Sequence, residues 1–179
     1  MHTEYEIKVL EIDALTIKRK LAELNATFKG DFEQKRFVYD FKPIVSGKWI
    51  RLRTNGKKTT LTIKEVTSKQ VDGTRELEIA VDNFDSTHLI LKELGYEERA
   101  YQENRRSSYS LNDCDIEIDT WPLIPTYMEI EGPSEEIVYE TLALLGIDQE
   151  KATSLDVESI YNEIYNININ DINHLKFDN

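Results

Sequence analysis

The stretch whose reading decides the fold is Glu4–Lys8, EYEIK. Successive side chains of an extended strand point to opposite faces. Glu4, Glu6 and Lys8 therefore share one face, and Tyr5, Ile7 and Val9 share the other. Two acids and a base in a row on one side either meet water or line something charged.

The same alternation recurs down the chain. KWIRLRT (48–54) puts Arg51 and Arg53 opposite Ile50 and Leu52, and KTTLTIKEV (58–66) puts Thr60, Thr62 and Lys64 opposite Leu61 and Ile63. TRELEIAV (74–81) sets Glu76 and Glu78 opposite Leu77, Ile79 and Val81. YQENRRSSYSL (101–111) sets Asn104, Arg106, Ser108 and Ser110 opposite Tyr109 and Leu111. CDIEIDTW (114–121) sets Asp115, Glu117 and Asp119 opposite Ile116 and Ile118, and YMEIEG (127–132) sets Glu129 and Glu131 opposite Met128 and Ile130. FEQKRFVYDF (32–41) runs through Phe37, Tyr39 and Phe41. Turn pairs separate the runs: Ser46-Gly47, Asn55-Gly56 and Asp72-Gly73.

Three segments carry helical spacing instead. IDALTIKRKLAELNAT (12–27) offers Asp13 as N-cap, Ile17, Leu21 and Leu24 as a stripe, and Asn25 as a left-handed stop. DSTHLILKELGY (85–96) stops at Gly95, and SEEIVYETLALLGI (134–147) stops at Gly146. Each is expected to cover a sheet. The order of strands and helices predicts an α+β architecture with a mainly antiparallel sheet. The segment from Asn162, NEIYNININDINHLKFDN, is Asn-rich and weakly patterned. It is expected to fray or to be disordered, so the domain is placed at 1–165 and a tail at 166–179.

Composition narrows the function classes. The 179 residues fit one domain, and a hydrophobic fraction of 40% suffices for a core. A formal net charge of -12 argues against a broad nucleic-acid surface, though not against a local basic pocket for a small anion. Cys114 is the single cysteine, so no internal disulfide forms, which suits the cytoplasm. MHTEYEIKVL has neither a basic start nor an apolar core, so no signal peptide is expected. No apolar run is long enough to span a membrane. His2, His88 and His174 have no ligand spacing, so no zinc site is expected.

Periodicity alone leaves two architectures. An open sheet with helices on one face and water on the other alternates in this way. A sheet closed into a barrel alternates identically, with the charged residues lining the bore. The charges are also sorted by strand. Arg51, Arg53 and Lys64 form a basic hairpin, while Glu4, Glu6, Glu76, Glu78, Glu117, Asp119, Glu129 and Glu131 fall on other strands. A bore so charged must hold water, metal or a charged ligand.

The order of these motifs resembles one known family. EYEIK fits the ExExK signature of the CYTH, or triphosphate tunnel metalloenzyme, superfamily. The resemblance continues through IRLR, LTIK, RELE, IEID and EIE, in matching face parity, over nearly the whole chain. It implies a closed eight-stranded antiparallel β-barrel, a tunnel, with helices packed outside. Members hydrolyse inorganic triphosphate, thiamine triphosphate or nucleoside triphosphates, or cyclise ATP to cyclic AMP, with magnesium or manganese. The chain departs from the pattern at one place. Members usually carry a Lys-x-Arg pair where this chain reads ENRRSS: Arg106 fits the arginine, and Asn104 stands where the lysine would be. Arg105 has the wrong parity to replace it unless the strand bulges.

Under that resemblance the charged residues acquire roles. Arg51 and Arg53 offer planar forks for phosphate oxygens, Lys64 a point charge, Arg106 an approach from another wall, and Lys8 a contact beside the acids. Carboxylates facing phosphate repel it unless a cation lies between, and Mg2+ and Mn2+ prefer oxygen ligands. Glu4, Glu6, Glu129 and Glu131 are the leading ligands, joined by some of Glu76, Glu78, Glu117 and Asp119. The expected catalytic set is Glu4, Glu6, Lys8, Glu129 and Glu131, and which acid is the base stays open. The expected activity is metal-dependent triphosphate hydrolysis, with class IV adenylyl cyclisation or non-catalytic polyphosphate or nucleotide binding as alternatives. The expected partner is a small-molecule triphosphate, bound by a monomer or homodimer, with no nucleic acid and no membrane.

Overall fold

The computed structural model of the chain describes residues 1–178. Ten strands form one sheet: β1 (His2–Val9), β2 (Thr27–Asp40), β3 (Lys48–Thr54), β4 (Thr59–Val66), β5 (Thr74–Val81), β6 (Glu98–Leu111), β7 (Cys114–Thr120), β8 (Tyr127–Gly132), β9 (Ala152–Thr153) and β10 (His174–Leu175). The helices are α1 (Ala14–Glu23), α2 (Phe84–Glu93), α3 (Glu135–Leu144) and the single turn α4 (Val157–Ser159), which runs on as a π turn over Ile160–Ile164.

Eight of the strands close on themselves. Around the ring the order is β1, β8, β7, β6, β2, β3, β4, β5 and back to β1, each pair antiparallel. The open-sheet architecture is thereby excluded. The seam at β1 needs reinforcement, because β5 pairs only with His2–Glu4. Beyond that point the Glu6 amide donates to the Val71 carbonyl at 3.1 Å, and β9 pairs with Lys8 and Val9. No unpaired edge is left where β1 carries its charges.

Closure turns the period-2 pattern into an inside and an outside. The core lies outside the bore, between barrel wall and helices. Ile7, Ile116, Ile118, Met128 and Ile130 pack against Ile17 and Leu21 of α1 and Val138 and Leu142 of α3. Tyr39, Ile50 and Leu52 pack against Phe84 and Leu91 of α2. Each such aliphatic side chain contributes about 1.5–3 kcal/mol on burial. The helices do not reach β5, whose outward Leu77 and Ile79 stay more than half exposed.

The three helix ends match their sequence signals. Asp13, Asn83 and Ser134 accept from the backbone amides of Thr16, Ser86 and Ile137. Asn25 and Gly95 sit at φ 56° and 87°, each closing a paired C-terminal hydrogen-bond motif. Asn55 accepts from the amides of Lys57 and Lys58 to set the β3–β4 hairpin. At Gly73 an added Cβ would meet the Ser68 carbonyl oxygen at 2.2 Å, so the turn into β5 requires glycine.

The Asn-rich segment departs from expectation. It neither frays nor lies loose over residues 166–178, while Asn179 lies outside the described residues. Ile169 and Leu175 are buried with Trp121, Ile124, Tyr127, Ile160 and Tyr161, and β10 pairs in parallel with Tyr101 and Gln102 of β6. The Tyr161 hydroxyl donates to the Pro122 carbonyl. Two apolar anchors and a short strand are enough to order a polar segment once the barrel presents a partner.

Candidate functional site

The bore encloses a cavity of about 630 Å3, within the range of small-molecule sites. Its walls are the charged faces read from the sequence. Glu4, Glu6, Lys8, Arg51, Arg53, Lys64, Glu76, Glu78, Arg106, Glu129 and Glu131 all line it. Glu117 and Asp119 lie beside them on β7, opposite Glu129 and Tyr127 of β8 in register.

Basic and acidic groups interlock on most of this wall. Lys64 Nζ lies 2.7 Å from Glu76 Oε1 and 3.2 Å from Glu4 Oε2. Arg51 reaches Glu76 at 3.1 Å and Glu78 at 3.6 Å, and Arg53 reaches Glu78 at 3.7 Å. Arg106 grips Asp119 through both carboxylate oxygens, with Nε to Oδ1 at 2.8 Å. Asp119 is fully buried and also accepts from Asn104 Nδ2 at 2.8 Å. Asp119, Glu76 and Glu78 are thus occupied in holding guanidinium groups. Lys8, 2% exposed, lies 3.3 Å from both Glu6 and Glu129. Burial pushes its ammonium down, but Glu6 and Glu129 outweigh burial and hold it above the usual lysine range. Burial raises the Glu129 carboxyl, and Lys8, Arg106 and Lys64 together pull it well below the usual range.

One corner is left with excess negative charge. Glu131 pairs across β1–β8 with Glu6. Burial, then Glu4, Glu129 and Glu6, push its carboxyl up to about 7. Glu4 Oε2 is buried and accepts no hydrogen bond, because Lys64 lies outside bonding geometry. An orphaned carboxylate oxygen and a carboxyl driven towards neutrality by three acids mark a place that a hard cation would neutralise. The donors are all oxygens, so the residues fit Mg2+ or Mn2+. Among the described residues no three carboxylates already converge in ligating geometry. Glu117, facing Glu129, is likewise raised to about 7, first by burial and then by Asp119 and Glu129 against Arg106 and Ser108.

The opposite side of the bore has excess positive charge. Burial, then Arg51 and Arg106, push the Arg53 guanidinium down to about 9. Arg36 on β2, absent from the residues expected from sequence, lines the same cavity. It alternates with Phe37 and Tyr39, so its parity was a signal that it faces inward. Trp121, expected only to mark a turn, stacks on it, with the guanidinium 4.4 Å from the ring centre. Arg105 does not replace a charge at position 104. The β2–β6 register runs without a shift from Asp31/Ser107 to Val38/Ala100, so Arg105 faces outward over Phe177.

No helix among the described residues is long and apolar enough to cross a membrane. The CYTH domain family model matches residues 2–160. No curated protein matches the chain. Among solved structures, the PH1012 protein of Pyrococcus horikoshii OT3 is 27% identical, with a TM-score of 0.73 over 86% of this chain and 96% of that one. A Vibrio parahaemolyticus protein provisionally named an adenylate cyclase is 14% identical, with a TM-score of 0.77 over 90% and 98%. A Hippeastrum protein, provisionally named an adenylyl cyclase and described as having a dominant triphosphatase activity, is 14% identical, with a TM-score of 0.60 over 92% and 96%. With its closed barrel, its charged bore and a family match over most of its length, the chain belongs to the CYTH domain family.

Proposed function

We propose that this protein is a divalent-metal-dependent triphosphatase that holds a small triphosphate in the bore and releases its terminal phosphate. The observation that carries the reading is the division of the bore. A carboxylate corner, with a buried Glu4 oxygen that accepts no hydrogen bond, faces guanidinium groups across one cavity. A polyanion and a cation together complement that division, and neither does so alone.

Glu4, Glu6, Glu129 and Glu131 would hold the cation. When bound there, Mg2+ or Mn2+ supplies positive charge between carboxylates and phosphate and acidity to water. The chain's own groups do the rest. Arg51, Arg53 and Arg106 bind non-bridging phosphate oxygens through planar forks that their acidic partners pre-orient. Lys8 and Lys64 add point charges between the two walls. Lys8, Arg51 and Arg106 are themselves largely buried, which strengthens these contacts. Glu117, whose carboxyl is raised to about 7 and which is not among these ligands, is matched to accept a proton from an attacking water. Glu76, Glu78 and Asp119 position arginines.

The test is product analysis. Purified protein is incubated with Mg2+ or Mn2+ and, separately, tripolyphosphate, thiamine triphosphate and ATP. Orthophosphate release supports hydrolysis. Cyclic AMP with pyrophosphate would instead identify a cyclase, and tight binding without turnover a polyphosphate binder. A Glu4→Gln, Glu6→Gln double variant with undiminished turnover would sink the assignment of the metal corner.

A further inference from the structure

Apart from the face of Trp121, nothing among the described residues that touches Arg36 balances its charge. It is 7% exposed, and among the described residues no carboxylate oxygen lies within 4.0 Å of it. Its hydrogen-bond partners are neutral: Gln34 Oε1 at 3.2 Å and Asn104 Oδ1. Its Nε is buried and donates to nothing. The charges nearest it are largely of its own sign. Burial first, and then Arg53, Arg51 and Arg106, press its guanidinium well below the usual range, against Asp119 alone. A buried cation facing three others is unfavourable until an anion sits among them. β2 also lies four strands from β1 in either direction round the ring, so Arg36 stands across the bore from the carboxylate corner.

Asn104 explains where the charge comes from. It sits two residues from Arg106 on the same face of β6, but its amide is used between Asp119 and Arg36. It lines a separate cavity of about 390 Å3 with Thr54 and Tyr101, whereas Arg36 lines the large one. We propose that Arg36 is a phosphate-binding residue that supplies, from β2, the positive charge β6 lacks at position 104. Trp121 and Asn104 fix its fork at the wall of the large cavity. This rests on the bore being a triphosphate site, and it adds a fourth guanidinium to the three arginines expected from sequence.

The experiment is calorimetric titration of the full chain with tripolyphosphate and Mg2+, alongside thermal melting of the free protein. Arg36→Gln should weaken binding by on the order of 10- to 100-fold, the loss of one charge-assisted contact. The melting temperature of the free protein should hold or rise, because an uncompensated buried charge is removed. Arg36→Gln with Asn104→Lys should regain most of the affinity, since an ammonium at 104 occupies the volume the fork leaves. If Arg36→Gln does not fold, Arg36→Met, which keeps the stem on Trp121, carries the same expectations. Unchanged affinity with a lowered melting temperature would make Arg36 structural and overturn the inference. If Arg53→Gln loses affinity while Arg36→Gln does not, only the Arg36 assignment fails. If the wild-type protein binds no tripolyphosphate, the reading of the bore fails and takes this inference with it.

Discussion

Proton and metal should compete for the carboxylate corner, and the competition is measurable as stability. Glu131 is raised from 4.5 to about 7 by burial and by Glu4, Glu129 and Glu6, and Glu117 is raised to about 7 on the adjoining strand. A carboxyl whose folded pKa is raised keeps its proton in the fold where the unfolded chain has lost it. Stability from these two groups is therefore fully present below about pH 4.5, declines as pH rises towards 7, and is flat above. The gap from 4.5 to about 7 corresponds to roughly 3 kcal/mol per group as an upper bound. Glu129 is shifted the other way, and its contribution is lost only below pH 4.5, outside this window. Urea midpoints followed by circular dichroism at pH 5, 6 and 8, without divalent metal, should fall with pH. Glu131→Gln should remove about half of the slope. Mg2+ displaces the proton, so it should raise the midpoint more at pH 8 than at pH 5. A metal-free stability that is flat or rising from pH 5 to 8 would refute the account of this corner. So would an Mg2+ response that does not grow with pH.

Other consequences follow from individual contacts. Asp119→Asn leaves Arg106 buried with half its partner and should cost about 3 kcal/mol in urea unfolding. The Mg2+-induced rise in midpoint should survive that change, whereas a ligand role for Asp119 would abolish it. Glu4→Gln with Glu6→Gln should abolish both the Mg2+ response and triphosphate turnover, and should also lower metal-free stability, because Lys8 and Lys64 each lose an ion-pair partner. Ending the chain at Asn173 removes β10 and the buried Leu175 and should cost about 2–3 kcal/mol in chemical denaturation; no change in midpoint would mean that the segment adds nothing to the Trp121 cluster.

What the sequence made legible was parity, and what it hid was contact. Glu4, Glu6 and Lys8 alternate with Tyr5, Ile7 and Val9 whether the sheet is open or closed, because the period of two belongs to the strand. Closure resides in the β2–β6, β1–β5 and β1–β8 pairings, set by hydrogen bonds between segments far apart in the chain, and no local pattern records them. Arg36 was hidden differently. The aromatic residues Phe37, Tyr39 and Phe41 dominate the pattern of its strand, and the opposite face of Gln34, Arg36 and Val38 carries a single charge, so only parity marks it as inward. The ordering of the Asn-rich segment could not be read locally, since Ile169 and Leu175 are lone apolar residues that need Trp121 and β6 to give them a partner. The eight acids show the same limit. Sequence places them all on the inner wall, but only contacts between strands separate Asp119, Glu76 and Glu78, which hold arginines, from Glu4, whose Oε2 meets only Lys64, and Glu131, which is surrounded by other acids. That imbalance is therefore the strongest pointer to a cation in the bore. It depends on which strands face each other, so it exists only once the barrel has closed.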